Sequence, residues 1–127
     1  MLVVKTFLKE TEFKGIGLFA GIDLIDGQII HVTDKNFTKT FSKEEIEYFG
    51  PLQKEFCETY MIHLEGGNCV LDLDNSRFIN HSSEPNLLAT TEYIMTTRNI
   101  VAGEELLLDY RDFDHECAND LGFEVHE

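Results

Sequence analysis

Seven short runs rich in β-branched and aromatic residues set the first limit on how this chain can fold. They are LVVKTFL (2–8), GLFAG (17–21), QIIHV (28–32), TYMIHL (59–64), CVLDLD (69–74), TEYIMTT (91–97) and ELLLDY (105–110). Polar or glycine turns bound nearly all of them: Asp26-Gly27, Gly66-Gly67-Asn68, Asn75-Ser76 and Ala102-Gly103-Glu104. Gly66-Gly67-Asn68 between two such runs predicts a hairpin with a loop of about three to five residues. The helix signal is confined to the middle of the chain. Ser42 precedes KEEIEYF with Glu45 three residues on, the spacing of a capping box. Ile46 and Phe49 then share a face, Gly50-Pro51 stops the helix, and a second short helix follows from Pro51. Strands that do not alternate with helices cannot build βαβ units. The expected fold is mostly β with one or two short helices.

Length and charge narrow the function classes. A chain of 127 residues, 43% hydrophobic and without repeat or linker, is enough for one domain around one core. No apolar run approaches the ~18 residues of a membrane span. Lys5 interrupts the N-terminal apolar residues too soon for a secretory h-region of about 7–15 residues. The reading is an intracellular protein, cytoplasmic or nuclear, with no signal peptide, no transmembrane segment and no membrane partner. Cys57, Cys69 and Cys117 are an odd number without close pairs, which argues for thiols rather than a disulfide framework. Twenty-four acidic residues against ten Lys and Arg give a net charge of −14. Such a chain repels nucleic acid and suits a basic protein or peptide, although the same charge also serves plain solubility.

The stretch RFINHSSEPN, residues 77 to 86, is harder to place. Phe78 and Ile79 read as the end of a buried strand, after which the chain turns polar through Asn80, His81, Ser82 and Ser83. A hydrolase would use His81 with one of these serines, but adjacent residues in extended chain point to opposite faces, and no GxSxG elbow is present. KGIGLFA carries Gly15-x-Gly17-x-x-Ala20, a form of the dinucleotide fingerprint. It lacks the preceding strand and the following long helix that a Rossmann site requires. Its glycines fit a tight turn entering a strand, or a close approach of backbone to a ligand. His31, His63, His115, Cys57, Cys69 and Cys117 show no paired zinc-ligand spacing, so no metal site is expected. His63 in its apolar run reads as a core histidine.

KGIGLFA, RFINHSSEPN and AGEELLLDY occur in that order, and together they resemble the SET-domain protein lysine methyltransferases. The first motif is weak alone. RFINHSxxPN followed about twenty residues later by GEELxxDY is specific. The resemblance covers about residues 3–113 of a single domain over 1–127, leaving a short acidic segment at 114–127. It implies a β-clip-like fold of small sheets with a C-terminal pseudoknot, the last strand tucked beneath the Asn-His loop. It implies transfer of a methyl group from S-adenosylmethionine (SAM) to a lysine ε-amine of a basic protein, such as a histone-like or ribosomal-protein tail. Lys14, Gly15, Ile16 and Gly17 would bring backbone to the methionine end of SAM. Asn80 and His81 would hydrogen-bond it, with Arg77 nearby, and Phe113 or Phe123 would pack on adenine or substrate. Tyr110 matches the catalytic tyrosine that orients methyl group and amine. Tyr60 matches the tyrosine that lines the lysine channel, carried in the family on a strand. The alternative is a SET-like module that binds SAM or a basic peptide without turnover, and a homodimer stays open.

Departures from the family pattern are informative. Many members carry a cysteine in the Asn-His motif that joins a C-terminal cysteine cluster around zinc and builds one channel wall. Here Ser83 stands in that position and no such cluster follows, which leaves the wall to RDFDHECANDLGF. No cysteine-rich zinc segment precedes the domain, as in the small stand-alone SET proteins. Two residues before Tyr110, where some members place Phe or Tyr, this chain has Leu108, which leaves room for more than one methyl. Glu84, Glu92, Asp112 and Asp114 fall near the motifs and are the expected attractors of a basic substrate.

Overall fold

A computed structural model describes residues 1–114; His115, Cys117, Phe123 and the rest of the acidic segment lie outside the described residues. Four small sheets, two α-helices and three 3-10 turns follow the mostly β expectation. Strands β1 (Thr6–Glu10) and β2 (Ile16–Ala20) form an antiparallel hairpin with Lys9 opposite Gly17. Its loop is closed by Thr11, which donates main chain and hydroxyl to the Gly15 carbonyl (both 2.7 Å). Gly15 has φ +70°, a conformation that glycine adopts without strain. Strand β3 (Ile29–Val32) follows, and its sheet partners come later in the chain.

The chain then enters an inserted unit of β4 (Thr38–Phe41), α1 (Lys43–Glu47), α2 (Pro51–Tyr60), β5 (Ile62–His63) and β6 (Cys69–Asp72). The capping box is present: Ser42 Oγ accepts from Glu45 N–H at 3.1 Å, and Glu45 accepts from Ser42 N–H at 3.0 Å. Pro51 opens α2, and the Gln53 side chain accepts from Gly50 N–H at 2.7 Å. The predicted hairpin forms between β5 and β6 across Gly66 and Gly67, whose φ values are +92° and +94°. Cys57, Met61 and Cys69 make a satellite core with Phe41, Ile46, Phe49 and Leu71.

Two expectations need correction here. TYMIHL is not one strand: Thr59 and Tyr60 complete α2, and only Ile62 and His63 are extended. Phe78 does not end a strand either, because residues 75–78 form a 3-10 turn capped by Asp74.

The remaining strands are β7 (Asn80–His81), β8 (Leu87–Ala89), β9 (Tyr93–Thr96) and β10 (Leu107–Leu108). Strands β3, β9 and β8 form one sheet, and β10 lies parallel to β7 with Leu107 opposite Asn80 and Leu108 opposite His81. The loop after β7 closes on β10. Ser82 N–H donates to the Leu108 carbonyl at 2.9 Å, and the Asn86 side chain donates to Glu105 O and accepts from Leu107 N–H, each at 2.8 Å. Loop and last strand hold each other, as the tucked arrangement demands. Leu18, Ala20, Leu24, Ile30, Ile79, Leu87, Ile94, Ile100, Leu106 and Leu108 fill the main core beneath them. Each fully buried Leu or Ile there contributes about 1.5–3 kcal/mol of hydrophobic stabilisation.

Candidate active site

The β1–β2 hairpin lies across β7, and one glycine permits it. A Cβ on Gly17 would lie 2.5 Å from Glu105 Oε2, 2.9 Å from Thr11 Cγ2 and 3.0 Å from Asn80 Nδ2. Only a hydrogen fits at that position. Asn80 Nδ2 donates to Glu105 Oε2 at 2.9 Å and to the Ile16 carbonyl at 3.3 Å, so Asn80 ties hairpin to β10 segment. Glu105 stands in the GEELLLDY motif, where sequence alone assigns it no role. Lys14 reaches from the hairpin loop to donate Nζ to the His81 carbonyl at 2.9 Å. Gly15 is different from Gly17: a Cβ there would meet nothing within 4 Å, and the residue is exposed.

His81 faces the other way with its ring. Its Nδ1 accepts the Tyr110 N–H at 2.9 Å, which fixes a neutral imidazole with its proton on Nε2. The Asp109 carboxylate 3.7 Å away is therefore not an ion-pair partner of Nδ1. Its charge goes to Arg111, whose Nε and Nη2 donate at 2.9 and 2.8 Å, and this hydrogen bonding holds the Asp109 carboxyl below its ordinary range.

Tyr110 opens the 3-10 turn of residues 110–112, and its hydroxyl donates to the Ile79 carbonyl. Its ring packs edge-on against His81 (5.4 Å) and Phe113 (5.6 Å). Tyr60 comes from the last position of α2 and packs against Phe56 (5.0 Å) and Phe78 (5.6 Å). Arg77 lays its guanidinium over the rings of Tyr60 and Phe78, at 5.9 and 5.0 Å. Its Nε is buried without a hydrogen-bond partner among the described residues.

Both tyrosines line one groove of about 910 Å³, together with Arg77, Ile79, Leu108 and Phe113. Asp112 and Asp114 line it too, as expected of them, whereas Glu84 and Glu92 do not; Glu58 and Asp72 stand there instead. Burial pushes the Asp72 carboxyl up and the neighbouring His31 imidazole down from their ordinary values. Lys14, Gly15, Ile16, Gly17, Asn80 and His81 are gathered on the hairpin side, and His81 joins the two sides through its carbonyl and its ring. Among the described residues no group of three His, Cys, Asp or Glu side chains is placed to hold a metal ion. No helix of the described residues is long and apolar enough to cross a membrane.

A family model described as SET domain matches residues 15–111. No curated protein matches the sequence. Among solved structures, the Polycomb Repressive Complex 2 of Chaetomium thermophilum is similar over 90% of this chain and 16% of that one, at 23% identity and a TM-score of 0.64. The structure of ctPRC2 in an autoinhibited conformation bound to S-adenosylmethionine is similar over 91% and 16%, at 23% identity and a TM-score of 0.65. CpSET8 from Cryptosporidium is similar over 86% and 58%, at 22% identity and a TM-score of 0.56. At these identities the likeness is one of fold, and the chain spans only a part of each of those proteins.

Proposed function

The chain belongs to the SET-domain family, the fold of lysine methyltransferases, and from that premise we propose that it transfers the methyl group of SAM to a lysine ε-amine of a basic protein. The observation that carries this reading is the double attachment of His81, which receives Lys14 on one side and positions Tyr110 on the other. The domain is read as one unit over residues 1–127.

The hairpin side fits the donor. Lys14 uses one of three ammonium donors on His81 O, leaving two for a carboxylate. Asn80 spends both amide hydrogens within the protein, and its Oδ1 suits an ammonium donor. The open space at Gly15 leaves room for a ligand against the backbone between Lys14 and Ile16. Phe113 and Arg77 flank the groove near Tyr110 and Tyr60, where Phe113 offers an aromatic face. Bound SAM supplies an electrophilic methyl group on a sulfonium.

The protein's part is to present a neutral amine in line with that methyl. A lysine amine in water has a pKa of ~10.4, so holding it deprotonated at pH 7 costs about 4.6 kcal/mol. Desolvation between Tyr60, Ile79 and Leu108 reduces that cost, and so does positive charge, including that of Arg77 in the same wall. The Tyr110 hydroxyl commits its proton to Ile79 O and so presents its oxygen as an acceptor, suited to orienting an amine N–H. Alignment of this kind supplies on the order of 7–11 kcal/mol in well-oriented sites. Mass spectrometry of a cell extract incubated with the protein and isotope-labelled SAM tests the reading. Labelled methyl on lysine is expected. SAM binding without any labelled product would identify a non-catalytic SET-like module instead.

The groove acids make a further expectation. Glu58, Asp72 and Asp112 line a groove whose one Lys or Arg among the described residues is Arg77, and the whole chain carries a net charge of −14. Exposed charges more than about 8 Å apart are largely screened at physiological salt. The KM for a Lys- and Arg-rich peptide should therefore rise several-fold from low to high salt, with SAM affinity shifting much less. Salt damage to the fold would weaken both ligands together. A flat peptide KM would place the substrate contacts away from these acids.

A further inference from the structure

We infer that Asp114 is a positioning residue that latches the wall carrying Tyr110 to the wall carrying Tyr60; the inference rests on the methyltransferase reading for its kinetic consequence only. Asp114 is 4% exposed, although Arg111 and Asp112 just before it are exposed. A carboxylate brought inside must be hydrogen-bonded, and here the donors come from across the groove. Its Oδ2 accepts from the His63 main-chain N–H at 2.8 Å and lies 3.2 Å from His63 Nδ1. Its own N–H donates to the Tyr110 carbonyl at 2.8 Å, closing the turn that Tyr110 opens. His63 belongs to β5, three residues after Tyr60. One residue thus fastens the Tyr110 turn to the strand that follows Tyr60. Where the family's zinc-bound cysteines would build this wall, this chain joins it by a carboxylate, a main-chain amide and an imidazole.

The geometry separates the contributions. The main-chain bond survives any change of the His63 side chain, so the carboxylate of Asp114 matters more than the ring. Asp114→Asn keeps an oxygen for the His63 N–H; Asp114→Ala removes both bonds. Misplacing reacting groups by 1 Å costs about a hundredfold in rate. A latch that loosens the wall without removing a reacting group should cost less, on the order of tenfold in kcat for Asp114→Ala. SAM affinity should stay unchanged, and Asp114→Asn and His63→Ala should stay near wild type.

The test combines steady-state transfer to a synthetic Lys- and Arg-rich peptide with amide hydrogen exchange of the full chain. In Asp114→Ala, exchange should quicken at His63 and across residues 110–113 together, and Asp114→Asn should restore protection at both. Coupled exchange with a fall in kcat supports the latch. Coupled exchange in a protein whose wild type transfers no methyl still supports it, and rejects the methyltransferase reading instead. Unaltered exchange at His63, or a wild-type kcat in a folded Asp114→Ala protein, overturns it. If Asp114→Ala does not fold, a loss of protection or of kcat in Asp114→Asn as large as that in an Asp114→Leu protein overturns it equally.

Discussion

Tyr110→Phe is expected to slow methyl transfer on the order of 10²–10³-fold, the scale seen when one preorganised hydrogen-bonding group is removed from a reacting centre. The substitution is narrow. The ring contacts to His81 and Phe113 and the Tyr110 N–H bond to His81 Nδ1 need no hydroxyl, so the wall keeps its shape. Only the oxygen bonded to Ile79 O is lost. The carbonyl it leaves costs about 1–3 kcal/mol if it finds no other donor, a modest loss of stability. SAM affinity should hardly move, because Lys14, Gly15 and Asn80 lie on the hairpin side and make no contact through this hydroxyl. Single-turnover transfer with labelled SAM, beside a calorimetric SAM titration of the same preparation, separates the two quantities. Full activity in the variant would remove Tyr110 from the chemistry; a parallel collapse of SAM binding would make it a structural residue.

The elements that sequence reveals best are those whose cause is local. Ser42 and Glu45 cap each other within one turn, and two glycines with positive φ close the β5–β6 hairpin, so nothing distant is needed to form either. Tyr60 shows the limit. Thr59-Tyr60-Met61-Ile62 alternates as a strand would, yet α2 begins at Pro51 and runs on until Met61 turns extended, with Cys57 and Met61 buried on the satellite core. Tertiary burial overrides a β-rich run. Strand β4 is not legible in the sequence because Thr38 and Thr40 give little hydrophobic signal; its pairing with β6 defines it. The site divides the same way. The motifs locate Asn80, His81 and Tyr110, but the bond from Asn80 to Glu105 and the squeeze on Gly17 exist only once hairpin and last strand meet. Nearness along the chain points to Glu84 and Glu92 as groove acids, whereas Asp72 arrives there from β6 and Glu58 from α2.

Asn86→Ala should cost the fold more than any exposed substitution, and for a reason that also bears on activity. Asn86 is 2% exposed and stands between two parts of the chain that meet late in sequence. Its Nδ2 serves the Glu105 carbonyl and its Oδ1 serves the Leu107 N–H, while its own N–H donates to Leu107 O at 3.3 Å. Alanine keeps the last bond and abandons the other two. Each orphaned buried group costs about 1–3 kcal/mol, so roughly 2–6 kcal/mol is expected in all, against a total of about 5–15 kcal/mol for a domain of ordinary stability. The loss falls on residues 105–107, immediately before Leu108 and Tyr110, so it should loosen the pairing of β10 with β7 that carries Tyr110 to His81. Chemical denaturation of Asn86→Ala, with Glu84→Ala as an exposed control in the same loop, measures the first effect. Hydrogen exchange at Leu107 and Leu108 measures the second. A variant as stable as the control, with β10 still protected, would mean that the strand is held by its apolar face through Leu106 and Leu108 and not by the asparagine.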